Sequence, residues 1–171
     1  MNSKTESKNV EKKSDANQGP PQIGIVSQYI KDLSFENPNA PNSVENPEYP
    51  NVNVNVEVQA KTSSDETYEV NIHIVAEAKD GDTTTFILDL TYGGLFRVIG
   101  VPKEQVQPAL LIECPRLIFP FARRVVADVT RDGGFPPLLL NPMDFLALFR
   151  ENIAKRRAQQ ENGLNSEPQS Q

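Results

Sequence analysis

Residues 115–142, PRLIFPFARRVVADVTRDGGFPPLLLNP, carry the longest helix-period signal in the chain. Leu117, Phe121 and Val125 recur every four residues, and Ile118, Ala122, Val126 and Val129 form an adjoining row. Side chains four apart stack on one side of a helix, so the two rows make one broad apolar face. A face that wide must lie against something larger than the helix, and the remainder of the chain has to supply that layer. Arg123, Arg124, Asp128 and Arg131 fall mainly on the other side. Pro120 has no N–H to donate and marks either a first turn or a kink, while Gly133-Gly134 suits a left-handed C-cap. The segment after it is unusual for a surface loop: Phe135, two prolines, then Leu138-Leu139-Leu140. Stiffened apolar chain of this kind is either core or a place to hold something apolar.

The layer is a sheet. Residues 51–58, NVNVNVEV, alternate strictly, with Val52, Val54, Val56 and Val58 on one face and Asn53, Asn55 and Glu57 on the other. Residues 68–79 put Val70, Ile72, Ile74 and Ala76 inward and Glu69, Asn71, His73 and Glu77 outward; residues 83–92 put Phe86, Leu88, Leu90 and Tyr92 on one face and Ile87, Asp89 and Thr91 on the other. Asp80-Gly81 is a tight hairpin signal, and Gly93-Gly94 suggests a bulge or bend before the strand resumes. Residues 22–36 alternate too: Ile23, Ile25, Tyr29, Leu33 and Phe35 against Gln28, Asp32, Ser34 and Glu36, with a bulge expected near 24–26. Between this strand and the valine strand lies NPNAPNSVENPEYP (37–50), whose four prolines and four asparagines make a long, rigid connection. Residues 103–112 read as a short helix interrupted at Pro108, and 142–157 as a final helix striped by Phe145, Leu148, Phe149 and Ile153 and ending in Lys155, Arg156 and Arg157. Strands first and helices after point to α+β: a four-stranded antiparallel sheet with two helices on one face.

Composition narrows what such a domain does. The 171 residues allow one domain; 1–21 and 158–171 are polar and read as disordered tails around a domain spanning 22–157. A net charge of -6 argues against nucleic acid. No apolar run suggests a leader or membrane insertion, and the single cysteine suggests neither secretion nor a zinc site, so a cytoplasmic protein is expected. Neither phosphate-binding glycine motif is present. His73, the one histidine, stands on the polar side of a strand and reads as an ordinary surface residue; Cys114 reads as a small buried hydrophobe without a catalytic partner. Asp80-Gly81-Asp82 lacks the remaining ligand spacing of a calcium loop. No catalytic constellation, metal site or cofactor is expected. Two features stay open: an acidic outer face formed by Asp32, Glu36 and Asp89 beside Ile87, and the apolar excess of 37–50 and 135–140. A binding protein for small apolar ligands such as lipid or acyl chains is the alternative that these features also permit, and an enzyme comes third.

Four stretches, YIKDLSFENPNAP, FILDLTYGGLFRVIGV, LIFPFARRVVADVTRDGGFPPLLLNP and MDFLALF, resemble the bacterial protein-export chaperone family SecB, in order and over roughly 22–149. The resemblance implies a homotetramer, a dimer of dimers in which sheets join edge to edge and the long helices lie between them, with Leu88, Leu90 and Tyr92 facing the helix layer. It implies a protein that holds unfolded preproteins and delivers them to the translocation motor ATPase SecA, hydrolysing nothing itself. Asp32, Glu36, Ile87 and Asp89 match the family's motor-docking positions, where Leu and Glu often stand at the last two; the zinc of the motor's docking tail belongs to the partner. Client grooves are implied along Val44, Tyr49, Val52, Val54, Val56, Phe135, Leu138, Leu140, Phe145 and Phe149. Family members often carry a tryptophan in the crossover connection, and here Tyr49 or Val44 takes its part.

Overall fold

The computed structural model describes residues 20–45 and 51–164. Four strands come first, β1 Gln22–Glu36, β2 Asn51–Ser64, β3 Thr67–Asp80 and β4 Thr83–Ile99, with a single helical turn, α1 Asn42–Glu45, in the connection after β1. Helices follow: α2 Lys103–Pro108, a π turn over Ala109–Glu113, α3 Cys114–Asp132 and α4 Phe145–Leu164. The strands form one antiparallel sheet in the order β1-β4-β3-β2, giving the expected α+β architecture.

Alternation sets the two faces. Val70, Ile72, Ile74, Ala76, Leu88, Leu90 and Tyr92 are buried in one core cluster with Ile118, Ala122 and Val126 of α3. The β3–β4 hairpin closes through Gly81-Asp82, one residue later than expected, because Asp80 still pairs with Thr83; Gly81 takes φ 56°, which glycine adopts without penalty.

Strand β1 departs from a simple alternation. Its register on β4 slips between Ile25 and Ser27 and again between Ile30 and Asp32. An extra residue in one strand swaps the faces of all that follow it. Tyr29, expected with the apolar side, therefore pairs with Gly93 on the outer face, and Gln28, expected outside, pairs with Gly94 on the helix side. Gly93 and Gly94 make no bend, for β4 runs unbroken through them. A Cβ at Gly93 would lie 2.7 Å from the Tyr29 ring and one at Gly94 2.6 Å from the Phe96 ring, so both positions serve close approach.

The long helix also differs from expectation. Residues 103–132 form one continuous rod, not two helices parted at Pro108. Pro115 in a regular helix would collide with the carbonyl four residues back. The π turn just before it widens the spiral, and Cys114 N–H donates to the carbonyl of Ala109 instead. Pro120 is interior and exposed, marking no first turn. At the other end, α4 runs to Leu164; residues 1–19 and 165–171 lie outside the described residues.

Candidate functional site

A groove of about 910 Å³ runs along the edge strand β2. Its floor comes from the inward valines of β2, Val52, Val54, Val56 and Val58, and its far wall from Leu138, Leu139 and Leu140 of the helix-linking loop. Met143, Leu148, Asn152, Lys155 and Arg156 close it on the α4 side. Strict alternation on β2 turns four valines the same way, and the loop keeps three leucines in reach because it is anchored at both ends. At its start, Phe135 is buried against Phe86 and Phe35, with ring centroids 5.0 and 6.3 Å away. At its end, Asp144 caps α4: its Oδ1 accepts the N–H groups of Leu146 and Ala147 at 3.0 Å each.

The ten expected groove residues therefore separate. Val52, Val54, Val56, Leu138 and Leu140 line the groove, and Phe149 lines a small neighbouring cavity of about 30 Å³ with Leu111 and Ile153. Phe135 and Phe145 are core instead. Phe145 is 1% exposed and meets Phe119 edge-on with centroids 5.5 Å apart. Val44 packs on the Phe86–Phe135 cluster, and Tyr49 lies outside the described residues. Leu139, which sequence reasoning left off the groove, is its most prominent side chain at 64% exposed. Its place in the LLL run was the available signal, but a run of three hides which member turns out.

On the opposite face the structure brings the four acidic-patch positions together. Glu36 pairs with Ile87 and Ser34 with Asp89, while Asp32 stands one step further along opposite Thr91. All are on the side away from the helices, with Asp32 and Glu36 exposed and Ile87 and Asp89 half-buried. His73 Nε2 donates to Asp89 Oδ1 at 2.8 Å across the strand pair. Reading strands one at a time missed that bond, since it depends on the β3–β4 register.

A second polar cluster lies further along the same face. The Tyr29 hydroxyl donates to Glu69 Oε1 at 2.7 Å, and Lys31 Nζ donates to Glu69 Oε1 and Oε2 at 2.7 and 2.8 Å. These bonds hold Glu69 below the usual carboxylate range, chiefly through Lys31 and then Tyr29. The bond to Glu69, followed by partial burial, pushes Tyr29 up to about 12.

Leu88, Leu90 and Tyr92 are buried in the core cluster with Ile118, Ala122 and Val126 of α3. The broad helix face itself is split. Ile118, Ala122 and Val126 are covered by the sheet, whereas Leu117 and Phe121 are 44% and 43% exposed. Strand β1 exposes Ile25, Ile30 and Leu33 on the same side of the sheet. Cys114 is wholly buried; burial pushes its thiol up to about 12, with Glu113 adding to the shift, so thiolate chemistry is suppressed. Among the described residues no helix is long and apolar enough to cross a membrane, and no cluster of His, Cys, Asp and Glu is placed to hold a metal.

Comparison with known proteins gives a consistent result. The family model described as "Preprotein translocase subunit SecB" matches residues 16–156. The chain is 50% identical over 142 residues to a Bradyrhizobium sp. "Protein-export protein SecB", covering 82% of this chain and 88% of that protein. A Rhodopseudomonas palustris protein of the same name is 48% identical over 143 residues, 83% of this chain and 90% of its own. Among solved structures, a Mycobacterium tuberculosis SecB-like chaperone in complex with an antitoxin peptide superposes with a TM-score of 0.58 at 15% identity. The match covers 71% of this chain and 90% of that one. At that identity the likeness is one of fold.

Proposed function

We propose that this chain, which belongs to the SecB family, holds unfolded preproteins in a translocation-competent state and delivers them to the motor ATPase SecA. It is a protein-export chaperone, and the names of its relatives describe export, not catalysis. The observation that supports this reading is the groove along β2, an open channel in which Val52, Val54, Val56 and Val58 and the leucines 138–140 are interspersed with polar side chains such as Asn55, Glu57, Gln59 and Glu151. An unfolded client exposes apolar segments along its whole length. At about 25 cal/mol per Å² of apolar area removed from water, one shallow contact does not offset the cost of ordering the client. Several grooves in one assembly act together at high effective concentration, giving tight and sequence-tolerant holding. Binding only the unfolded form also draws the folding equilibrium toward it.

A homotetramer in the cytoplasm fits this mechanism. Leu117 and Phe121 of α3 with Ile25, Ile30 and Leu33 of β1 supply an uncovered apolar surface at one edge of the sheet. A monomer gains nothing from exposing so many large apolar side chains together, and pairing that edge with a second copy removes the liability of an open strand. Docking to the motor is assigned to the acidic face, Asp32, Glu36, Ile87 and Asp89, whose carboxylates suit a basic tail.

The test combines both functions. A slow-folding precursor diluted from denaturant into an excess of this protein, without nucleotide, should remain unfolded; refolding at its unassisted rate would end the holding reading. Titration with the motor's zinc-bearing tail at low salt then follows. Asp32→Lys with Asp89→Lys should hold the precursor as before yet bind the tail at least about tenfold more weakly, since rim charges act mainly between molecules. Equal tail affinity would remove the docking assignment alone.

A further inference from the structure

The loop that walls the groove is held from beneath by one hydroxyl. Thr130, in the last turn of α3, is 0% exposed. Its hydroxyl donates back to the carbonyls of Val126 and Ala127 at 2.9 and 3.1 Å, a bond pattern that satisfies a helical threonine internally. Here the same oxygen also accepts the N–H of Leu138, eight residues ahead, at 2.9 Å. The Thr130 carbonyl accepts the Phe135 N–H at 3.1 Å, so one residue holds the loop at two points.

The sequence makes the second point matter. Pro136 and Pro137 have no N–H, so after Phe135 the next amide able to fasten this stretch is that of Leu138. Beyond it, Leu139 stands largely exposed over the groove and Leu140 returns to the core. If the Leu138 bond is lost, Phe135 and Leu140 still anchor the ends, but 136–139 is released. Burial would then drive Leu139 down onto the β2 valines, narrowing the channel a client has to enter.

We propose that Thr130 is the positioning residue that sets the aperture of the groove, holding Leu138 and Leu139 as a preformed wall for apolar segments. This rests on the groove reading above and adds a residue that touches no client itself. Preformed walls strengthen binding because the ordering cost has been met before the client arrives.

The experiment compares wild type with Thr130→Val, which keeps the shape and loses the hydroxyl, Thr130→Ala, which loses it without branching, and Thr130→Ser, which retains it. The probe is reduced, carboxymethylated α-lactalbumin, a polypeptide that cannot refold. Val and Ala should bind it about fivefold more weakly, the equivalent of one net hydrogen bond, and Ser should restore wild-type affinity. Amide exchange should quicken at Leu138 and Leu139 in Val and Ala while the β3 and β4 amides stay protected. Two variants of different size guard against one that fails to fold. If Val and Ala lower the melting temperature but bind the probe as tightly per folded protein as wild type, Thr130 is only structural and the inference is overturned. If wild type itself does not bind the probe, the groove reading falls first, whatever the exchange data show.

Discussion

At one edge of the sheet, β1 carries two bulges and turns Ile25, Ile30 and Leu33 toward an uncovered region beside α3. At the other, β2 runs without a bulge from Asn51 to Thr62 and sends every inward valine under a loop and a helix. Both edges are long and half apolar, a combination that in an isolated sheet invites uncontrolled pairing. They manage it differently. The bulges give β1 a local twist and an irregular outline that few partners match, which suits one specific and permanent contact. The even spacing of β2 presents the same apolar step again and again, which suits many unrelated extended segments. In the proposed assembly, irregularity at one edge serves specificity and regularity at the other serves tolerance.

The largest effect that would break this comparison is expected at β1. Ile30→Asp with Phe121→Asp puts charges on side chains that are 48% and 43% exposed in the protomer, so the fold should survive. In the proposed tetramer the same charges are buried without partners, at a cost of several kcal/mol per ion. Sedimentation velocity should show smaller species, with association weakened by at least about a hundredfold. An unchanged tetramer would mean that this edge is not where copies meet, and the contrast between the two edges would lose its first half.

A smaller effect is expected at β2. Leu138→Ser with Leu139→Ser should weaken unfolded-polypeptide binding by about tenfold, from the loss of apolar contact area, while leaving assembly and melting temperature close to wild type. Leu140→Ser is the comparison, because Leu140 touches the groove yet is buried, so its truncation should cost about 2–5 kcal/mol of stability in addition to any loss of binding. Melting and client titration on both variants separate the exposed part of the wall from the part rooted in the core. If the double variant melts early and binds normally, the leucines are core and the groove is only a gap between elements.

These two regions also differ in how much of them was legible beforehand. Alternation alone identifies the faces of β2, β3 and β4, because a period of two leaves no choice once one face must be buried. At β1 it holds only in part: the extra residue Val26 falls within the bulge expected at 24–26, but the second, Lys31, has no signal of its own, and simple alternation cannot be carried across either. Tyr29 and Gln28 were consequently assigned to the wrong faces. The continuity of the helical rod was hidden too, since Pro108 and Pro115 argue for a break, and a π turn that absorbs one has no composition of its own. In the groove, Val52, Val54, Val56, Leu138 and Leu140 were legible as apolar chain beside a stiff loop. That Phe135 and Phe145 point into the core was not, because a large aromatic beside a groove and one beneath it read alike. The His73–Asp89 and Tyr29–Glu69 bonds join residues 16 and 40 apart in sequence, and both depend on register.

The Tyr29–Lys31–Glu69 cluster offers the smallest and sharpest test, because it ties the bulged part of β1 to β3 across Gly93. Lys31 is itself the second bulge residue, so the irregularity that turns it outward also brings it to Glu69. If the outline of β1 is a maintained feature, removing one member should loosen that edge and leave β2 untouched. Tyr29→Phe deletes the hydroxyl bond, and because Tyr29 is 37% exposed its worth is under about 1 kcal/mol. The pH dependence identifies it. Glu69 is held below its ordinary value, so its contribution is present above that value and is lost as pH falls through the depressed one. Tyr29 is raised from 10.0 to about 12, so its contribution is complete below pH 10 and is lost as pH rises toward 12. The stability difference between wild type and Tyr29→Phe should therefore be flat across neutral pH and shrink at both extremes. Denaturant melts at several pH values, with amide exchange at β1 and β2, would decide it. A difference that is constant from acid to strong alkali, or exchange that quickens equally at both edges, would show that these three side chains do no more than meet at the surface and that the bulges hold their shape without them.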